Sequence, residues 1–291
     1  MRHRIGLVLT LLLFVPPGLA AAEDKFFDSN GVQIRYVEQG SGVPVVLVHG
    51  YSGNIEGSWI DNGIIAKLAK DHHVVAFDNR GHGKSGKPHD VAAYGNEMAE
   101  DIVRLMDHLK VQRAHIIGYS MGVRLVERLL ITHPDRVLTA TLGGFGLVKD
   151  APAADEKRAA ETERGSFRTL ILQTWPADQP PPTEEVIRQR SQDRIARGMD
   201  PVALAQVVRG FHDLAVTATQ MAAVRVPTQA IVGSADPGLA DVKDLKTAMP
   251  ALKVTVVEGA THSGDQGTPN RPEFVNAIRE FIDSTGKKPA Q

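Results

Sequence analysis

The sequence predicts an α/β protein built on a mostly parallel sheet with helices on both faces. Three observations carry that expectation. Short, continuous apolar runs rich in β-branched residues recur at 45–48, 114–117, 137–142 and 227–233, as strands buried on both faces require. Segments of helical periodicity alternate with them. A Gly-x-Ser-x-Gly run, Gly118-Tyr119-Ser120-Met121-Gly122, stands where one such strand meets one such helix.

The elements follow in order. Residues 25–28 and 32–37 read as two strands joined by Asn30-Gly31, a strong hairpin-turn pair. The strand at 45–48 is entered from Pro44 and runs into His49-Gly50. A helix at 64–68 and a strand at 73–77, ending on Asp78, come next. The segment 92–110 sets Met98, Ile102, Leu105, Met106 and Leu109 on one face of a helix. Strand 114–117 leads into the serine turn, and Leu125, Val126, Leu129 and Leu130 continue it as a helix over 123–131. The strand at 137–142 is followed by an interruption. There, 150–168 is charged and alanine-rich, read as a solvated helix or loop, and Trp175-Pro176 and Pro180-Pro181-Pro182 break the chain. Thr183 is an N-cap with Glu184 and Glu185 in the first turn, and Asp200-Pro201 opens a further helix. The sheet resumes at 227–233, with a helix at 242–249, a strand at 253–258 and a last helix at 272–282.

Composition narrows the function. The 291-residue chain is 42% hydrophobic with a formal net charge of −1, so it can bury a sizeable core and makes no general electrostatic case for nucleic acid or an anionic membrane. Cysteine is absent, which excludes disulfides, thiol nucleophiles, iron–sulfur clusters and cysteine zinc sites. No histidine and carboxylate spacing points to a catalytic metal, and no cofactor is implied. Residues 1–22 read as a signal peptide: Arg2, His3 and Arg4 precede an apolar stretch at 5–15, then Pro16-Pro17-Gly18, then small residues at Ala20-Ala21-Ala22. The expected address is exported, periplasmic or secreted and bacterial, with no stable membrane anchor after signal removal. Oligomeric state is not set by the sequence.

Ser120 is the natural nucleophile, because a serine on a strand-to-helix turn presents its hydroxyl in the open and faces the positive end of the following helix. It needs a base, and the base needs a carboxylate. His262 follows the strand at 253–258 and Asp236 follows the strand at 227–233, in the chain order Ser, Asp, His that such a turn predicts. Asp150 and Asp155 are the alternative acids, lying in a charged run whose ordinary meaning is solvation. His49 and His82 sit in glycine-flanked turns and are read as satisfying backbone groups, His115 as a packed strand residue, and His72, His73, His89, His108 and His133 as surface or strand-edge residues. The oxyanion donors expected are the backbone N–H groups of Met121 and Tyr51.

Taken together, His49-Gly50, the run Asp78-Asn79-Arg80-Gly81-His82-Gly83-Lys84-Ser85, the Gly118–Gly122 turn, Asp236 and His262 resemble the α/β-hydrolase superfamily, in its serine-nucleophile esterase- and lipase-like group. The resemblance covers essentially the whole of the chain after residue 22. It implies an eight-stranded, mostly parallel sheet whose second strand is antiparallel, a core over 23–144 and 224–291, and a helical cap inserted at 145–223. It implies hydrolysis of a carboxylic ester of a small or medium-sized molecule through an acyl-serine. C–C bond hydrolysis, lactone hydrolysis or related acyl transfer on the same triad is the alternative. Val123 stands where an extra glycine is often found, and the serine nucleophile separates the chain from the aspartate chemistry of epoxide hydrolases and haloalkane dehalogenases. Substrate-pocket residues are expected from the cap and its border: Phe145, Phe167, Leu170, Trp175, Phe211 and His212.

Overall fold

The structure is a computed structural model that describes residues 23–147, 149–175 and 179–286. Residues 1–22, on which the signal-peptide expectation falls, lie outside the described residues, as does Pro176 of the Trp175-Pro176 break.

Eight strands form one sheet: β1 Lys25–Ser29, β2 Val32–Gln39, β3 Val43–Val48, β4 His72–Phe77, β5 Ala114–Tyr119, β6 Val137–Gly143, β7 Thr228–Gly233 and β8 Lys253–Val257. Their order is β1-β2-β4-β3-β5-β6-β7-β8. β2 is antiparallel to both β1 and β4, and every other pairing is parallel. The fold is that of an α/β hydrolase. Asn30 and Gly31 both take positive φ, 55° and 82°, which is the backbone that a tight two-residue hairpin needs.

Period-two alternation divides the central strands between two apolar layers. Val46 and Val48 of β3, Val75 and Phe77 of β4 and Ile116 of β5 face one layer, with Met98, Ile102 and Leu105 of α2 (Asn96–His108) and Leu125 and Leu129 of α3 (Met121–Thr132). Val45 and Leu47, Val74 and Ala76, and Ile117 face the other, with Ile64, Ile65 and Leu68 of α1 (Ile64–Leu68) and Phe274, Ile278 and Ile282 of α10 (Pro272–Gly286). Burial on both faces is why these strands read as continuous apolar runs. The helix expected to start at 92 starts at Asn96. Asp90 instead caps a short 3-10 turn over Val91–Ala93, and Gly95 breaks it with φ 61°.

Between β6 and β7 the described chain is helical: α4 Pro152–Glu163, α5 Arg168–Gln173, α6 Glu184–Ala196, α7 Pro201–Arg209 and α8 Ala218–Ala223. Their N-termini are set as the sequence signals. Thr183 Oγ1 accepts from the Val186 N–H, and Asp200 accepts from the Val202 and Ala203 N–H groups ahead of Pro201. Phe167, Ile171, Ile187 and Leu204 form a small core of their own in this segment. α9 (Leu239–Ala248) joins β7 to β8.

Candidate active site

Ser120 caps the N-terminus of α3 with φ 55° and ψ −117°, a conformation costly to any residue with a Cβ. Its N–H donates 2.8 Å to the Gly143 carbonyl across to β6. The flanking glycines are required by close approach rather than by φ. A Cβ on Gly118 would stand 2.4 Å from the Gly122 carbonyl oxygen, and one on Gly122 would stand 2.2 Å from the Val48 carbonyl oxygen. This packing pins β3, β5 and the first turn of α3 together, and it brings Gly50 so close that an added methyl would lie 3.0 Å from Ser120 Cβ.

His262 and Asp236 reach the serine from the ends of β8 and β7, as parallel sheets place functional loops at the carboxyl ends of their strands. His262 Nε2 is 2.9 Å from Ser120 Oγ, and His262 Nδ1 is 3.0 Å from each Asp236 oxygen. The Asp236 side chain is fully buried, and Oδ1 also accepts a 2.8 Å hydrogen bond from the Gly238 N–H. With Asp236 accepting at Nδ1, that nitrogen carries the proton and Nε2 is left free to take one from the serine. The Phe145 and Tyr119 rings stand 4.9 and 5.4 Å from the imidazole, centroid to centroid. Asp150 lies elsewhere, with His212 Nδ1 at 2.7 Å, and Asp155 makes no hydrogen bond to His262.

The loop after β3 is held from beneath by His49. The Asn79 N–H donates 3.0 Å to His49 Nε2, so Nδ1 carries the proton and donates 2.8 Å to the Gly50 carbonyl. Burial lowers the pKa of His49, and burial followed by the neighbouring His49 pushes His82 down to about 3. Both are therefore neutral braces. The Met121 N–H, at the first helical position, has no acceptor within its own helix. The Tyr51 N–H, in the turn beside Gly50, meets no acceptor among the described residues.

A cavity of 780 Å³ opens over Ser120 and His262, walled by Tyr51, Trp59, Phe145, Leu170 and Phe211 among others. Of the pocket residues expected from sequence, Phe145, Leu170 and Phe211 line it and three do not. Phe167 is consumed by the core of the inserted helices, against Ile171, Ile187 and Leu204. Trp175 packs beside that core, with its Nε1 donating to the Pro180 carbonyl and Arg190 stacked 4.5 Å above its ring. His212 is 65% exposed at its side chain. Their large apolar or aromatic character marks them for the cavity, but hydrophobicity does not say which way a helix faces. Trp59, within a helical turn over Glu56–Ile60, and Arg124, Arg158 and Arg194 line the cavity although nothing in the sequence pattern singles them out as a group. Arg124 alone carries a usable signal: it stands at i+4 from Ser120 on the same helix face. Among the described residues, no group of three or more His, Asp or Glu side chains is arranged to hold a metal ion.

These elements define a mostly parallel α/β sheet with a serine, a histidine and an aspartate assembled at the carboxyl ends of its parallel strands. Residues 43–226 match the family model described as alpha/beta hydrolase fold, and the chain belongs to that family. It is 37% identical over 131 residues to the dihydrolipoyllysine-residue acetyltransferase component of the acetoin cleaving system of Cupriavidus necator, covering 44% of this chain and 34% of that one. It is 36% identical over 122 residues to epoxide hydrolase A of Mycobacterium tuberculosis, covering 41% and 37%. The matched region thus spans little more than a third of the length of these relatives. Among solved structures, a thermophilic esterase from Thermogutta terrifontis superposes with a TM-score of 0.74 at 23% identity, over 91% of this chain and 99% of that one, a likeness of fold.

Proposed function

We propose that the chain hydrolyses a carboxylic ester of a small or medium-sized molecule through an acyl-serine intermediate. The observation that carries this reading is the continuous relay from Ser120 Oγ through His262 to Asp236, with 2.9 and 3.0 Å links. Ser120 attacks the ester carbonyl as His262 Nε2 takes its proton. Asp236 holds the imidazole tautomer and stabilises the imidazolium, and the Met121 and Tyr51 N–H groups receive the oxyanion. His262 returns the proton to the departing alcohol, then activates the water that releases the acid. Membership of a family whose relatives include a named hydrolase supports hydrolysis over a binding role.

We also read residues 1–22 as an export signal, so the reaction would take place outside the cytoplasm on a small-molecule ester. Support comes from the charged, apolar and small-residue order of that segment.

The test is a panel of 4-nitrophenyl esters of increasing acyl length against the purified protein and its Ser120→Ala variant. Loss of about 10⁴–10⁶ in kcat is expected for the variant. A fluorophosphonate probe should label the parent at Ser120. Ester hydrolysis surviving in Ser120→Ala would defeat the mechanism.

A further inference from the structure

We propose that Arg124, Arg158 and Arg194 form an anion-binding wall that selects substrates carrying a free carboxylate beside the scissile ester. This deepens the ester-hydrolase reading and rests on it for the reacting end of the substrate.

All three guanidinium-bearing residues line the cavity that contains Ser120 and His262, and each comes from a different helix: α3, α4 and α6. Each stands over an aromatic ring. Arg124 lies 4.7 Å above Phe211, Arg158 lies 4.4 Å above Tyr51, and Arg194 lies 5.8 Å from the Phe167 centroid. Such stacking orients a planar cation while leaving its N–H edges available. Among the described residues, none of the three has a carboxylate oxygen within 4.0 Å. Two other arginines of the inserted helices behave differently: Arg209 pairs with Glu156 and Glu163, and Arg168 pairs with Glu184. All three cavity arginines are partly buried, and Arg158 Nε is buried without a partner.

Partly buried cations without counterions are costly, and burial lowers the pKa of both Arg124 and Arg194. Asp155, Glu127 and Asp150 oppose this shift at Arg124, but burial outweighs them. Asp155 and Asp241 line the same cavity, and Asp150, Glu127 and Glu161 lie within electrostatic reach of the wall or of Tyr51. A standing counterion would be held below the usual carboxylate range. Burial instead pushes Asp155 and Asp241 up, and Asp155 Oδ2 is buried without a partner. Arg190 and Arg197, on or just beyond the helix of Arg194, add positive charge.

The nature of the anion follows from geometry. Planar guanidiniums suit a planar, two-oxygen anion, which they grip by paired hydrogen bonds. Arg124 follows Ser120 by four residues, about 6 Å along the helix axis. A short chain would therefore separate the carboxylate from the ester carbonyl, passing the apolar faces of Phe145 and Phe211. A monoester of a short dicarboxylic acid has this form.

The test compares mono-4-nitrophenyl adipate with its neutral methyl diester. The expected result is a kcat/KM at least tenfold higher for the monoanion, shrinking as salt is raised. The monoanion-to-diester ratio should fall at least tenfold in Arg124→Met and in Arg158→Met, and taking the ratio cancels any change in the folded fraction. Equal turnover of the two esters, or a preference that survives in the double variant, would overturn the proposal. A second measurement stands apart from catalysis: calorimetric titration of adipate and of neutral adipamide into Ser120→Ala protein. Adipate binding that is lost with Arg124→Met supports the wall, and absence of adipate binding overturns it. If neither ester is cleaved, the hydrolase reading fails while the titration still decides the subsite.

Discussion

The phenol of Tyr119 donates a 2.6 Å hydrogen bond to the backbone carbonyl of His262. The residue just before Ser120 on β5 therefore anchors the loop that carries His262 after β8. Burial raises the Tyr119 pKa well above the usual phenol value, so the group remains a donor at every working pH. Tyr119→Phe removes this tether without removing the ring that packs on Phe274. We expect kcat to fall about tenfold with little change in KM, and stability to fall by only about 1 kcal/mol. Steady-state kinetics with a urea melt on the same sample checks both. An unchanged kcat would show that the His262 loop holds its place unaided.

Ser120 pays a conformational cost for its position. At φ 55° and ψ −117° a Cβ is strained, and residues held in such regions cost about 1–3 kcal/mol. Ser120→Gly should therefore abolish ester hydrolysis and raise stability by about 1 kcal/mol over Ser120→Ala, which keeps the Cβ. Guanidinium melts of the two variants provide the comparison. Equal midpoints would mean that the turn is not strained.

The same turn explains why the candidate triad is legible in the sequence. Gly118, Ser120 and Gly122 announce a crowded crossing of two strands and a helix, and the apolar runs before Asp236 and His262 announce the strand ends that deliver them. Those signals are local. The cavity wall is not, because it depends on how the inserted helices roll. Phe167 and Leu170 are three residues apart and pack in the same small core between β6 and β7, yet only Leu170 also lines the cavity. Arg158 sits in a run of charged residues that composition cannot separate from an ordinary solvated face. The buried ion pair of Arg80 and Asp101 is equally hidden, since its partners are on different elements.

That pair yields a stability prediction. Arg80 and Asp101 are each about 1% exposed, and Arg80 Nε donates 2.7 Å to Asp101 Oδ2 while Nη1 donates 2.7 Å to the Ala93 carbonyl. Removing one charge strands the other in a dry interior. Asp101→Ala should cost about 3–5 kcal/mol. A guanidinium melt measures the loss, and ester kinetics on the folded fraction should be close to the parent because neither residue lines the cavity. A cost below 1 kcal/mol would mean that water or another group reaches Arg80.

Glu127 gives a pH dependence. It lies on α3, 1% exposed, with Oε1 unpartnered, and burial raises its pKa well above the ordinary carboxyl value despite the opposing effect of Arg124. Asp241 adds a smaller push in the same direction. The native state thus binds more protons at this site than the unfolded state, whose carboxyl titrates near the ordinary value of 4.5. Stability from this group is whole below that pH and is lost as pH rises toward the folded pKa, at up to roughly 1.4 kcal/mol per pH unit. Gln removes the titration and keeps the shape. Glu127→Gln should therefore match the parent at pH 4 and become progressively more stable than it from pH 5 to pH 8. Thermal melts of both proteins across that range read the difference directly, and a gap that is constant with pH would show that Glu127 is not protonated in the folded state.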